Sequence, residues 1–145
     1  SNGEYHRDDG PAVIYADGDK AWYQHGKFHR DDGPAVEYAD GDKFWYQHGY
    51  LHRDDGPAIE HADGSKQWWQ RGNRHRTDGP AIIYARGTKQ WWLNDQYMSF
   101  DVWLDKVDIS DEDKVMMKLQ TQLAFCQTPM VCHQHIVCEL FVHLE

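Results

Sequence analysis

The 145-residue chain has only three cysteines, Cys126, Cys132 and Cys138, all within its last 20 residues. An odd count confined to one end excludes a disulfide framework as the organising device. Long hydrophobic runs are missing as well. No apolar stretch approaches the ~20 residues of a membrane-spanning helix, and no charged-then-apolar signal segment opens the chain, so a soluble, cytoplasmic protein is expected. Basic charge is scarce: residues 1–97 hold 16 acids against 12 bases, and residues 98–145 hold 8 against 3. Neither part has the positive footprint that nucleic acid or an anionic membrane surface would require. An acidic surface keeps a protein in solution and also speeds its encounter with a partner that carries a basic face.

Repetition is what the sequence has in abundance. His6-Arg7-Asp8-Asp9-Gly10-Pro11-Ala12 returns at His29, His52 and, as His75-Arg76-Thr77-Asp78-Gly79-Pro80-Ala81, at His75, a period of 23 residues. Trp22, Trp45, Trp68 and Trp91 occupy one column and Gly18, Gly41, Gly64 and Gly87 another. Such a period decides architecture before chemistry, because each unit must bury its face against its neighbours. Within a unit, Ala12-Val13-Ile14-Tyr15-Ala16 and Lys20-Ala21-Trp22-Tyr23-Gln24 read as short strands, with Asp17-Gly18 between them as a type I′ hairpin turn. The return loop, His25 to Pro34, contains Gly and Pro and stops the ladder. Four hairpins joined in this way predict a mainly β fold: a single elongated antiparallel meander advancing roughly 10 Å per repeat. The repeats span 6–28, 29–51, 52–74 and 75–97. Asn2-Gly3-Glu4-Tyr5 aligns with His25-Gly26-Lys27-Phe28, the end of a preceding unit, so the natural chain is expected to begin further upstream.

The run from Gly33-Pro34-Ala35-Val36-Glu37-Tyr38-Ala39-Asp40-Gly41-Asp42-Lys43 through Trp45-Tyr46-Gln47-His48-Gly49-Tyr50-Leu51-His52 resembles the MORN repeat, a 23-residue β-hairpin unit with a Tyr-x-x-Gly core and a Trp in its second strand. The resemblance covers residues 2–97. The chain departs from the family in having His-Arg-Asp-Asp-Gly-Pro-Ala where a typical unit has His-Gly-x-Gly, and it lacks the Glu-Gly before the Trp. This divergent form is similar to variants found among phage and large-virus proteins. Family members act as scaffolds, dimerisation elements and membrane-junction tethers, or as accessory blocks beside a lipid kinase or a lysine methyltransferase. The resemblance therefore implies binding rather than chemistry.

After Tyr97 the apolar period lengthens from 2 to about 3.6 residues, which predicts an α-helical C-terminal cap over residues 98–145. Ser99 caps a first helix with Phe100, Trp103, Leu104 and Val107 on one face. Ser110 caps a second, with Asp111, Glu112 and Asp113 in its first turn and Val115, Met116, Leu119 and Leu123 as its buried stripe. Thr128-Pro129 starts a third segment, Met130 to Leu144, whose alternation also suits a strand. An open sheet leaves unpaired edges and apolar faces, which a cap of this kind covers.

No catalytic motif has the required spacing. His-Arg-Asp lacks the Asn of a kinase catalytic loop, since Val13 stands five residues after Asp8, and Asp17-Gly18-Asp19 lacks the further oxygen ligands of a calcium loop. The expectation is a protein without enzymatic activity. Cys126, Cys132, His135 and Cys138, with His133 in reserve, are thiolate and imidazole ligands that zinc would accept, although the spacing matches no strong zinc signature and ordinary packing is the simpler reading. His6, His29, His52 and His75 form a row that fixes register together with the Arg-Asp loops, or alternatively senses pH.

With a two-residue turn at Asp17-Gly18, Val13, Tyr15, Lys20 and Trp22 share one face and Ala12, Ile14, Ala21 and Tyr23 the other. The first face is uniform among repeats, which makes Trp22, Trp45, Trp68 and Trp91 structural. The second varies, with Glu37 and Glu60, Phe44, and Tyr46, Trp69 and Trp92 among its columns. These six are the expected contacts to a protein partner, since central aromatics dominate interfaces. The function expected is a protein-binding module, a viral inhibitor or recruiter of a host protein in the host cytoplasm. The alternatives are a self-assembling homodimer scaffold and an accessory targeting block of a larger protein.

Overall fold

The computed structural model describes residues 4–126. Residues up to Val107 form one compact unit, and those from Asp108 onwards belong to a second. The first helix of the expected cap thus falls within the repeat unit. Among the described residues no helix is long and apolar enough to cross a membrane.

Each of the first three repeats supplies four two-residue strands. They are β1 (Val13–Ile14), β2 (Lys20–Ala21), β3 (Tyr23–Gln24) and β4 (Lys27–Phe28); then β5 (Val36–Glu37), β6 (Lys43–Phe44), β7 (Tyr46–Gln47) and β8 (Tyr50–Leu51); then β9 (Ile59–Glu60), β10 (Lys66–Gln67), β11 (Trp69–Gln70) and β12 (Asn73–Arg74). The fourth has β13 (Ile82–Ile83), β14 (Lys89–Leu93) and β15 (Gln96–Met98). Nine strands pair in the order β1-β2-β5-β6-β9-β10-β13-β14-β15, and the others pair as β3–β4, β7–β8 and β11–β12. The fold is therefore mainly β and built from antiparallel hairpin repeats. Where a single meander was expected, the chain leaves the large sheet at Trp22, Trp45 and Trp68, while β14 runs on through Trp91 within it. The Trp22 amide donates to Ala35 O (2.8 Å) while its carbonyl accepts from His29 N (3.2 Å), so one residue serves two ladders; Trp45 and Trp68 do the same.

The turns also exchange roles relative to expectation. The Tyr15 amide donates to Asp19 O and its carbonyl accepts from Gly18 N, closing the hairpin through Ala16, Asp17 and Gly18, of which only Gly18 has positive φ (98°). This is a type I turn followed by a left-handed residue, the three-residue solution, with Asp17 Oδ1 accepting from Asp19 N. The two-residue turn with positive φ at both positions occurs at His25 (50°) and Gly26 (71°), joining β3 to β4. The extra loop residue moves the register by one: Val13 pairs with Ala21 and Ile14 with Lys20. A one-residue slip exchanges the faces of a strand. One side of the large sheet thus carries the column Val13, Ala21, Val36, Phe44, Ile59, Gln67, Ile82, Gln90, and the other carries Ile14, Lys20, Glu37, Lys43, Glu60, Lys66, Ile83, Lys89. In the second column each Glu lies between two Lys, a favourable cross-strand arrangement.

Within the repeats the fully buried side chains are small or β-branched. Ala35, Ala58 and Ala81 are fully buried, and Ala21, Val36, Ile59 and Ile82 nearly so. Helix α1 (Phe100–Lys106) closes the last repeat as expected: Ser99 Oγ accepts from Val102 N, Trp103 and Leu104 are buried, and Trp103 Nε1 donates to Arg76 O at 2.9 Å.

In the second unit, helix α2 (Asp111–Cys126) starts at Ser110, whose Oγ accepts from Asp113 N at 3.1 Å. Its stripe of Val115, Met116, Leu119 and Leu123, expected to be buried, is exposed among the described residues. Helical spacing groups residues on one face without supplying a surface to cover them. The third segment from Met130, and Cys132, His133, His135 and Cys138, lie outside the described residues, as does the side chain of Cys126.

Candidate functional site

Two surfaces compete for a functional reading: the row of His-Arg-Asp-Asp loops, and the face carrying the Phe44 column. The loops are occupied with holding the repeats together. Arg30 donates Nε to Asp32 (2.7 Å) and Nη1 to both Pro34 O (3.2 Å) and Glu37 (3.1 Å), while its guanidinium lies 4.1 Å from the ring centre of Trp22 in the preceding repeat. Arg53 repeats the set with Asp55, Pro57 O, Glu60 and Trp45, and Arg76 covers Trp68 at 3.9 Å. A Cβ at Gly79 would stand 2.8 Å from Arg76 Cζ, so a larger residue there would shift the guanidinium from this position. Trp22, Trp45 and Trp68 are half-buried, each lying under the next repeat's arginine, and Trp91 is covered by Phe100 and Trp103 at 4.8 and 4.5 Å.

The histidine row has an equally specific task. Nδ1 of His6, His29, His52 and His75 accepts the amide of His25, His48, Arg71 and Asn94, the residues forced to φ near 50° in the next two-residue turn. A ring nitrogen that accepts carries no proton, so Nε2 holds it and faces Asp8, Asp31 and Asp54 at 3.1–3.2 Å in the first three repeats. Replacing the buried His29 by Ala strands the His48 amide and is expected to cost about 1–3 kcal/mol. His29→Asn, whose Oδ1 can reach the same amide, should recover a measurable part in urea unfolding.

The acids of this scaffold set its pH response. Arg7, Arg30 and Arg53 hold the carboxyls of Asp9, Asp32 and Asp55 below the usual aspartate range by hydrogen bonding and charge, and the Ala62 amide and His61 do so for Asp42. A carboxyl depressed in the folded state contributes stability that is complete above its unfolded value of about 3.9 and is lost as pH falls through the folded value. The share of the melting temperature that these carboxyls supply is thus expected to be complete down to about pH 5 and to fall below about pH 4. Asp32→Asn with Asp55→Asn should make that acid-side fall shallower, and an unchanged fall would contradict this.

A polar groove of about 1190 Å³ lies between the third and fourth loops, with Asp54, Asp55 and Asp78 along it. All three carboxylates are engaged, by His52, Arg53 and Arg76.

The other surface is aromatic. Strand pairing sets Tyr23 beside Phe28, Tyr46 beside Leu51, Trp69 beside Arg74 and Trp92 beside Tyr97. These stack into a ladder: Tyr5–Tyr23 5.3 Å, Tyr23–Phe28 4.5 Å, Phe28–Tyr46 5.2 Å, and Arg74 over Trp92 at 3.9 Å. The ladder meets the Phe44 column of the large sheet. Tyr38 packs edge-on to Phe44 (5.4 Å), and the indoles of Trp69 and Trp92 donate to Gln67 and Gln90. Burial, and then the neighbouring Tyr15, push the Tyr23 hydroxyl up, and burial does the same at Tyr46.

Of the six partner contacts expected from sequence, Phe44, Tyr46, Trp69 and Trp92 come together here, all half-buried. Glu37 and Glu60 do not. They sit on the opposite side of the sheet and bind Arg30 and Arg53, because the register differs from the one assumed. Tyr15, Tyr38 and Tyr84, 40–49% exposed, belong to the aromatic face but were assigned to the structural one. The available signal was the Ala-Asp-Gly-Asp turn, whose first Asp favours the longer loop.

No protein-family model matches the chain, and no curated protein matches it.

Proposed function

We propose that the repeat unit is a non-enzymatic protein-binding module and that its aromatic face is the docking surface. The observation carrying this reading is the set of exposed Tyr15, Tyr38 and Tyr84 bordering half-buried Phe44, Tyr46, Trp69 and Trp92. Aromatic anchors of this type concentrate binding energy, and their rigidity limits the entropy lost on docking. The MORN-like character of the repeat supports the same reading. The likeness to phage and large-virus variants makes a host protein, inhibited or recruited, the partner class.

The test is a paired variant, Tyr38→Ala with Trp69→Ala, used as bait beside the parent chain. A partner held by the parent in stoichiometric amount should be lost, while circular dichroism stays β-rich. Retention of that partner by the folded variant would sink the proposal.

Self-association is the second reading, favoured by β1 lying at the edge of the nine-stranded sheet. It requires a dimer in light scattering at micromolar concentration. For the C-terminal cysteines, zinc at Cys126, Cys132, His135 and Cys138 would appear as stoichiometric metal and a melting temperature lowered by a chelator.

A further inference from the structure

We propose that the pocket between the first and second repeats on the aromatic face receives a lysine or arginine side chain from a basic segment of the partner protein. The inference rests on the docking-face reading above and names the chemistry that face selects. The pocket measures about 180 Å³ and is lined by Ala21, Val36 and Phe28, by Tyr15 and Tyr38, and by Asp17 and Asp19.

Its position follows from the smallest member of one column. Where the first repeat has Ala21, the second has Phe44, whose ring packs against Tyr38 and His61, and the third and fourth have Gln67 and Gln90, bonded to Trp69 and Trp92. The alanine leaves space where the other three repeats carry a longer side chain. At the rim it is Asp19 that distinguishes this place, since Asp17 recurs as Asp40 and Asp63. Asp19 Oδ1 accepts from Ala39 N (2.8 Å) and Asp17 Oδ1 from Asp19 N, yet among the described residues no cation pairs with either carboxylate. One repeat later the equivalent Asp42 is bound to His61 Nδ1 at 2.6 Å, and beyond it the column becomes Ser65 and Thr88.

An apolar floor, two tyrosine rings and two unneutralised carboxylates match the parts of a long cationic side chain. The methylene stem lies on Ala21 and Val36, and the charged head meets the ring faces and the acids. The fold uses the same chemistry internally, with a guanidinium over Trp22, Trp45 and Trp68. An apolar side chain would leave both acids uncompensated, and an anion would be repelled. The surplus of 16 acids over 12 bases in residues 1–97 favours encounter with a basic segment.

The experiment titrates the full chain with capped peptides carrying two lysines, two arginines or two norleucines in a glycine background, following the Tyr15 and Tyr38 ring signals by NMR. The lysine and arginine peptides are expected to shift both rings, with affinity falling severalfold between 50 and 300 mM salt as screening grows. The norleucine peptide should not shift them. Ala21→Phe, which installs the residue the second repeat already carries, should abolish the shifts. Asp19→Asn, which keeps the acceptor for Ala39 N, should weaken binding at least about threefold through loss of a charge pair near an aromatic cage. Equal shifts by norleucine, or parent-like binding by Ala21→Phe, would overturn the proposal. If Ala21→Phe does not fold, unchanged lysine affinity in Asp17→Asn with Asp19→Asn overturns it instead. A protein partner lost with Tyr38→Ala and Trp69→Ala but bound normally by Ala21→Phe would sink this pocket alone and leave the docking face standing.

Discussion

Trp103→Ala is expected to destabilise the repeat unit by about 3–5 kcal/mol, the range for removing a fully buried large aromatic. Trp103 has no exposed surface, packs at a tilt against Trp91 at 4.5 Å and donates its indole N–H to Arg76 O at 2.9 Å. It covers Trp91 as the next repeat's arginine covers Trp22, Trp45 and Trp68, so its loss leaves Phe100 as cover on Trp91 and the Arg76 carbonyl without this donor. Because each repeat contacts only its neighbours, the damage should be graded along the array. Amides of β14 should exchange with solvent much faster, while those around β1 and β2 change little. A melting temperature within a degree or two of the parent, or protection lost evenly across all repeats, would contradict the capping role. Trp103→Phe should restore part of the packing and none of the hydrogen bond.

Arg53→Ala comes next, at about 2–4 kcal/mol, because it removes a charge-assisted hydrogen-bond set at a largely covered site and exposes a tryptophan face. One side chain joins Asp55, Pro57 O, Glu60 and the Trp45 ring, and only 23% of it is exposed. Lysine cannot replace a planar fork that bonds in three directions while stacking, so Arg53→Lys should recover little. The repeat supplies its own control. Arg7 makes the corresponding bonds to Asp9 and Pro11 O, but it is half exposed and has Ile14 where Arg53 has Glu60. Arg7→Ala should cost under about 1 kcal/mol, the scale of an exposed ion pair. Equal losses at the two positions, measured by urea unfolding, would mean that stacking and Glu60 contribute nothing.

Much of this architecture was legible before any coordinates. The 23-residue period announced a repeat fold, the strand pairs announced hairpins, and the Ser99 and Ser110 caps with their apolar spacing announced both helices. These features depend on neighbours a few residues apart, where propensity, capping and periodicity act directly. That Trp22, Trp45, Trp68 and Trp91 form one repeated column was also legible, and what lies against them is arginine in three repeats and a capping helix in the fourth.

What sequence alone determined, then, is the repeat, the hairpin on Gly18, the two helix starts and the identity of the repeating columns; the second hairpin, β3–β4, formed inside the stretch from His25 that had been read as a loop. Tertiary structure decided which columns share a face and which are covered. One additional loop residue at Ala16-Asp17-Gly18 set the register, and through the two-residue alternation of a strand it sent Glu37 and Glu60 to the arginine side and Tyr15, Tyr38 and Tyr84 to the aromatic side. Turn length is a choice between near-equal local solutions, settled by bonds to the next repeat such as Asp19 to the Ala39 amide. Burial is decided in the same non-local way: Trp103 and Val115 lie on comparable apolar helix faces, yet one is fully covered and the other is exposed, because only packing against another element turns an amphipathic pattern into a core.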